Sequence, residues 1–297
     1  VVLALPLGIG KPNQLANEFV RRAMANPSID LTIVTALSLA TPTASSALEQ
    51  RLLQPIFERV FGAYPPLEYQ RLARAAQLPK NIQVIEFFLE PGKWLDNTAV
   101  QTHYLAANYT HVARELMARG VNVIAQLVAR RVVDGKTEYS LGSNPDVTLD
   151  LLPYVATRRA RNQPIVVAGA VHEEMPFMLG AAALPAAQFD LVLADQRYNY
   201  PLFAPSNPEL SLVDHAIGLH ASSLVRDGGT LQIGIGELGD ALCYALLLRH
   251  QQNAAYREAL HAVGSEHGAP LIDAAGGRGA FEIGLFGSTE MFVDQML

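Results

Sequence analysis

Near the end of the chain, Gly284-Leu-Phe-Gly287-Ser-Thr-Glu290-Met-Phe-Val-Asp294-Gln sets a carboxylate among small, apolar and hydroxyl-bearing residues. The stretch is too irregular for a continuous amphipathic helix and too rich in glycine for an ordinary strand. Gly284 and Gly287 let the backbone approach a ligand closely or take a positive φ. Ser288, Thr289 and Asp294 stand where they can shape the ionisation of Glu290. A carboxylate set in this way is a candidate nucleophile for covalent catalysis. The bland reading of the same residue is a solvated loop acid.

Two glycine turns are the natural partners of such a group. Leu5-Pro-Leu-Gly8-Ile-Gly10 recurs as Leu231-Gln-Ile-Gly234-Ile-Gly236, and each copy leads into an amphipathic segment. Bare backbone N–H groups in turns like these can stabilise the oxyanion of an acyl-transfer intermediate. Without a ligand they are tight strand-to-helix turns and nothing more. The second copy, Gly234-Ile-Gly236-Glu-Leu-Gly239, also fits the dinucleotide fingerprint Gly-x-Gly-x-x-Gly, in which a pyrophosphate rests on a helix N-terminus. That fingerprint asks for a second strand ending in an acid about 20 positions on, and no such strand is evident. A dinucleotide-binding oxidoreductase is therefore the alternative reading, with a non-catalytic acyl-CoA-binding fragment beside it.

Other chemistries find little support. His172-Glu173-Glu174 lacks the i, i+4 histidine of a zinc-protease helix, His103 and His111 do not share one face of a turn, and no serine sits in a Gly-x-Ser-x-Gly elbow. Cys243 lies in the apolar run Ala-Leu-Cys-Tyr-Ala-Leu and reads as a core residue. It is the one cysteine of the chain, which rules out an internal disulfide framework and suits a reducing cytoplasm. The net charge of −6 argues against a nucleic-acid partner. The longest apolar stretch, Met175 to Ala194, is broken by Pro176, Pro185 and Asp190, so no membrane span is expected. Arg158, Arg159 and Arg161 could meet phosphates but read first as a solvated helix face.

The elements that must hold these residues follow from the apolar pattern. Leu3 to Leu7 reads as a buried strand, Gln14 to Met24 as a helix, and Leu31-Thr-Ile-Val-Thr as the next strand. Further strands are expected at Val84 to Phe88, Val121 to Val128, Pro164 to Gly169 and Phe189 to Ala194, and helices at Leu48 to Leu53, Leu67 to Gln77 and His111 to Arg119. Fully apolar strands alternating with helices predict an α/β fold with a parallel sheet covered on both faces. The repeated turn predicts two related domains, residues 1–218 and 219–297.

The Glu290 segment also resembles a known family. Gly-Leu-Phe-Gly-Ser-Thr-Glu-Met-Phe-Val-Asp is similar to the active-site segment of the acetyl-CoA hydrolase/transferase family, within the glutamate-dependent CoA-transferases. Glu290 falls on the family nucleophile and Asp294 on a later aspartate, while Gln295 stands where the family usually has glycine. Leu48-Glu-Gln-Arg-Leu-Leu and Phe57-Glu-Arg-Val-Phe-Gly-Ala-Tyr-Pro resemble the family as well. Gly8, Gly10 and Pro12 resemble its Gly-x-Gly-x-Pro oxyanion element, and Gly234 and Gly236 its second pocket loop. At Asp195 to Pro201 only the acid and the proline match a family element. The resemblance implies an open parallel sheet of the NagB/RpiA/CoA-transferase kind in two tandem domains, the second incomplete at residue 297. It implies an acyl-CoA:carboxylate CoA-transferase or acetyl-CoA hydrolase acting through an acyl-glutamyl anhydride and a glutamyl-CoA thioester. Acyl-CoA and a small acetate-like carboxylate would be its partners, coenzyme A a substrate rather than a cofactor, and no metal is called for. A homodimer is left open.

Overall fold

Val2–Leu7 forms strand β1, and the turn Gly8–Gly10 passes it into helix α1 (Asn13–Ala25), the strand–turn–helix order expected from the sequence. Then follow β2 (Leu31–Ala36), α2 (Ala47–Val60), α3 (Glu68–Arg74), β3 (Ile82–Glu86), α4 (Thr98–Thr102), α5 (Val112–Ala118) and β4 (Val123–Val133). After them come β5 (Lys136–Ser140), α6 (Asp146–Ala160), β6 (Val166–Val171), β7 (Ala183–Pro185) and β8 (Leu191–Leu193). The computed structural model describes residues 1–202, 208–289 and 293.

The parallel strands lie in the order β3-β2-β1-β4-β6-β8. This is the doubly wound arrangement, in which the chain reverses direction of travel between β1 and β4. Alternate residues of a strand point to opposite faces, and the core divides accordingly. Leu3, Leu5, Leu31 and Ile33 pack with Ala16, Val20 and Leu72 of α1 and α3. Ala4, Val34 and Ile124 pack on the other face with Leu116, Leu151 and Val155 of α5 and α6. The expected α/β sheet with helices on both faces is present.

The strand expected to end at Val128 continues to Val133. β4 runs past its parallel neighbours and turns back at Asp134-Gly135 into β5, antiparallel, with Ala129 opposite Ser140. Both turn residues have positive φ, 50° and 73°, the conformation that two-residue hairpins favour for Asp-Gly. β7 then pairs antiparallel with β5.

The chain divides into two compact units, Val1–Phe203 and Ala204–Leu297. The second holds α7 (Leu212–Ser223), β9 (Thr230–Ile233), α8 (Glu237–Gln251), α9 (Asn253–Ala262), α10 (Ala269–Ala275) and β10 (Phe286–Thr289). The expected boundary at 218/219 falls inside α7. Gly218 is a helix-interior glycine there, because a Cβ on it would lie 2.5 Å from the Ala241 carbonyl oxygen of α8. Leu219, Ala245, Tyr256 and Leu260 form the core that joins α7, α8 and α9. β9 and β10 pair in parallel, with Phe286 opposite Thr230 and Thr289 opposite Ile233. No helix among the described residues is long and apolar enough to cross a membrane.

Candidate functional site

In an open α/β sheet, ligands bind beyond the carboxyl ends of the strands where the strand order reverses. In the first unit that place is occupied by the Gly8–Gly10 turn, which follows β1 directly. Gly8 takes a φ of +56°, and its N–H donates to the Leu37 carbonyl oxygen at 3.2 Å. The Gly10 N–H donates to Oδ1 of Asn144 at 3.1 Å. Both N–H groups expected to face a substrate thus have internal acceptors. Asn144 is held in place from behind by Gln126, a buried residue of β4 whose Nε2 donates to the carbonyl oxygens of Leu141 and Asn144 at 2.6 and 2.9 Å.

The residue after Gly10 is Lys11, which the sequence does not single out. It is fully buried. Its Nζ donates to the carbonyl oxygens of Ala36 and, at 3.2 Å, Leu37, at the end of β2. Leu37 is a non-glycine residue with φ at +42°, a conformation that costs on the order of 1–3 kcal/mol and persists only where its surroundings hold it. Its own N–H donates to the Phe88 carbonyl oxygen at 2.7 Å. Glu86, at the end of β3, is buried nearby and accepts from the Ser38 N–H at 3.4 Å. Burial pushes the Lys11 ammonium down to about 7, with the Glu86 charge opposing the shift. Burial likewise raises the Glu86 carboxyl, opposed chiefly by Lys11. Ser38, Tyr69 and Gln70 complete this polar cluster, with Ser38 Oγ and the Tyr69 hydroxyl 2.7 Å apart.

The turn in the second unit has the same letters and a different backbone. Gly236, with φ at +105°, caps the N-terminus of α8. A Cβ on Gly234 or Gly236 would meet no atom within 4 Å, whereas one on Gly239 would lie 1.9 Å from the Gly234 carbonyl oxygen. The third glycine of the fingerprint is therefore spent on packing helix against strand. The first two have room beside them where a side chain would stand. Gly239→Ala is expected to cost about 3 kcal/mol or more through overpacking against main chain, while Gly234→Ala leaves the chemical-denaturation midpoint near wild type. Equal midpoints for the two variants would show that the close approach is not rigid.

The neighbouring strand is pinned by Asp227. Its carboxylate accepts the N–H groups of Glu282, Ile283 and Gly284 at 2.9, 3.1 and 3.0 Å, which hold it below the usual carboxylate range. β10 then runs beside β9 and brings Thr289 opposite Ile233, the residue before Gly234. Glu290 is joined directly to Thr289 in sequence. Glu290, Asp294 and Gln295 themselves lie outside the described residues.

Several weaker candidates resolve into structural roles. Arg159 pairs with Asp190 at 2.7 Å and Arg158 donates to the Tyr154 hydroxyl at 2.8 Å, so both are engaged within the chain. His172 is buried against Tyr200, their rings 4.8 Å apart, and burial lowers its pKa. Burial, then the Asp240 charge, raises the Cys243 thiol, the wrong direction for a nucleophile. Asp195 is tied to Arg197 at 2.5 Å. Among the described residues no group of three His, Cys, Asp or Glu side chains is placed to hold a metal. The dinucleotide reading gains nothing, because β9 is followed by α8, α9 and α10 before its partner strand arrives.

No family model matches the chain. Over 97 residues it is 33% identical to the 4-hydroxybutyrate coenzyme A transferase of Clostridium kluyveri, a match covering 33% of this chain and 21% of that protein. Among solved structures, RipA from Yersinia pestis superposes with a TM-score of 0.54 at 20% identity, covering 82% of this chain and 50% of that one. A substituted variant of RipA superposes with a TM-score of 0.54 at 18% identity, covering 97% of this chain and 63% of that one. The chain thus spans between half and two thirds of the length of these solved structures, and shares their fold.

Proposed function

We propose, from a likeness whose sequence match is to a CoA-transferase, that this chain carries the nucleophile half of an acyl-CoA:carboxylate CoA-transferase site. The observation that carries the reading is the register of β9 and β10. Thr289, the residue to which Glu290 is joined, lies opposite Ile233, and the residues that follow Ile233 are the Gly234–Gly236 turn, uncrowded on the side where a Cβ would stand. A carboxylate following Thr289 in the chain and a glycine turn following Ile233 would supply the nucleophile and the oxyanion contacts that acyl transfer requires.

In this mechanism a carboxylate oxygen of Glu290 attacks the thioester carbonyl carbon, and N–H groups of the glycine turn stabilise the oxyanion. The C–S bond breaks and CoA leaves as thiolate, giving an acyl-glutamyl anhydride. The thiolate then attacks the glutamyl carbonyl, releases the acyl group as a carboxylate, and leaves a glutamyl-CoA thioester. An acceptor carboxylate reverses these steps and departs with CoA. One difficult exchange becomes a series of easier ones. Entry of water at the thioester makes the same site a hydrolase, so exclusion of water decides between the two outcomes. Soluble substrates, acyl-CoA and an acetate-like carboxylate, are the partners of this chemistry, with the cytoplasm as its setting.

The test is exchange of CoA between acetyl-CoA and an isotopically labelled carboxylate. Label is expected in the acyl-CoA pool. Release of free CoA at the same rate with and without acceptor would instead mark a hydrolase.

The Gly10 turn supplies a second check. A Cβ on Gly10 would sit 2.6 Å from Asn144 Oδ1, so Gly10→Ala must expel the Asn144 amide and break its bond to the Gly10 N–H. A loss of about 1–3 kcal/mol in unfolding free energy is expected, measured by chemical denaturation. An unchanged midpoint would mean that the Asn144 contact contributes nothing.

A further inference from the structure

We infer that the exposed face of α2 (Ala47–Val60) is the surface on which a second copy of this chain docks, antiparallel and about a two-fold axis between Gln54 and Pro55. The N-terminus of α2 is capped by Ser46, whose Oγ accepts the Glu49 N–H at 3.2 Å, and Pro55 interrupts the hydrogen-bond ladder in its second half. None of its 14 residues is buried. Leu53, Phe57 and Val60 are half-buried on the side it turns toward its own unit. The other side carries Leu48, Leu52 and Ile56, which are 76%, 71% and 42% exposed. At a helical spacing of four these three form one apolar stripe along the solvent face. A stripe of this kind on a soluble protein marks a surface meant to be covered.

The charges beside the stripe say what covers it. Arg51 and Glu58 are both exposed and lie two helical turns apart on the same flank. When two helices face each other antiparallel about a two-fold axis, each flank meets the same flank of its mate. With the axis between Gln54 and Pro55, Arg51 of one copy faces Glu58 of the other, and the pair forms twice. Leu52 then falls between Ile56 and Arg59 of the second copy. An isologous interface needs this kind of self-complementarity, in which one patch carries both halves of every contact. A membrane surface would ask for a basic flank, but α2 balances Glu49 and Glu58 against Arg51 and Arg59. A single helix pair makes a small interface, so the dimer forms at roughly tens of micromolar chain and dissociates on dilution.

Sedimentation velocity over a concentration series tests the assignment, with circular dichroism and thermal melting confirming that each variant is folded. The wild-type chain is expected to shift from monomer to dimer across the micromolar range. Leu52→Glu should be monomeric throughout. Arg51→Glu and Glu58→Arg should each weaken association by about tenfold, through like charges facing each other twice. The double variant Arg51→Glu/Glu58→Arg should restore it, because the reversed pairs are again opposite in sign. A wild-type monomer at every concentration would overturn the inference, whether another segment, a lipid surface or nothing covers α2. So would a dimer indifferent to Leu52→Glu, or a double reversal no better than the single ones.

Discussion

Replacing Glu290 with alanine is expected to lower CoA exchange between acetyl-CoA and a carboxylate by roughly three to six powers of ten, the scale on which covalent nucleophiles fail when removed. The size follows from what is lost. Binding and oxyanion stabilisation remain, but the anhydride and the enzyme thioester can no longer form, and the exchange reverts to a direct encounter of two anions. Glu290→Asp keeps the carboxylate and shortens its reach by one methylene. A displacement of about 1 Å at a reacting group costs on the order of a hundredfold, so this variant should lie between alanine and wild type. Glu290→Gln separates charge from size and should behave as the alanine variant does. Equal exchange rates in wild type and Glu290→Ala would remove this residue from the mechanism and leave the glycine turns without a nucleophile.

The second large effect concerns stability. Lys11→Met is expected to lower the unfolding free energy by about 1–3 kcal/mol, the cost of leaving buried carbonyl oxygens without their donor. Lys11 has no exposed atom to retreat with, and its Nζ holds two carbonyl oxygens at the end of β2. Without them the left-handed Leu37 loses one of its restraints. The pH dependence distinguishes this from simple loss of packing. The Lys11 ammonium titrates near 7 in the folded chain against an ordinary value of 10.5. Between those values the unfolded state binds the extra proton, so the Lys11 contribution to stability rises with pH and falls as pH drops toward 7. The variant lacks this dependence. The gap between wild type and Lys11→Met should therefore widen from pH 7 to pH 9, by up to about 1.4 kcal/mol per unit. A gap that stays constant over that range would mean that Lys11 keeps an ordinary ammonium in the fold.

The two glycine turns were legible because glycine at a strand end leaves few structural choices. Gly8 and Gly236 both take positive φ, and each turn follows a strand, β1 largely buried and β9 half-exposed. What the letters concealed is that the turns are not equivalent. Gly10 is covered by Asn144, 134 residues away in sequence, and no local pattern reports a contact of that range. Lys11 was hidden for the same reason. Its burial arises from the meeting of the ends of β1, β2 and β3, while its neighbours Gly10 and Pro12 suggest an exposed turn. The β4–β5 hairpin is a different case. Asp134-Gly135 between Arg131-Val-Val and Lys136-Thr-Glu-Tyr carries a hairpin signal, and a strand ended at Val128 overlooks it. That hairpin matters to the site, since it delivers the chain to Leu141 and Asn144. Arg158 and Arg159, legible only as a basic helix end, prove to be tied to Tyr154 and Asp190.

The central claim is that the Glu290 carboxyl forms a thioester with CoA, and borohydride trapping tests it most directly. The protein is incubated with acetyl-CoA, reduced with borohydride, digested, and the peptide containing Glu290 is weighed. Hydride converts a glutamyl thioester to a primary alcohol with release of CoA thiol, so that peptide should lose the mass that separates a carboxyl from a hydroxymethyl group, and only when acetyl-CoA was present. Exchange that proceeds while this peptide stays at its unmodified mass, or reduction at a different carboxylate, would contradict the account.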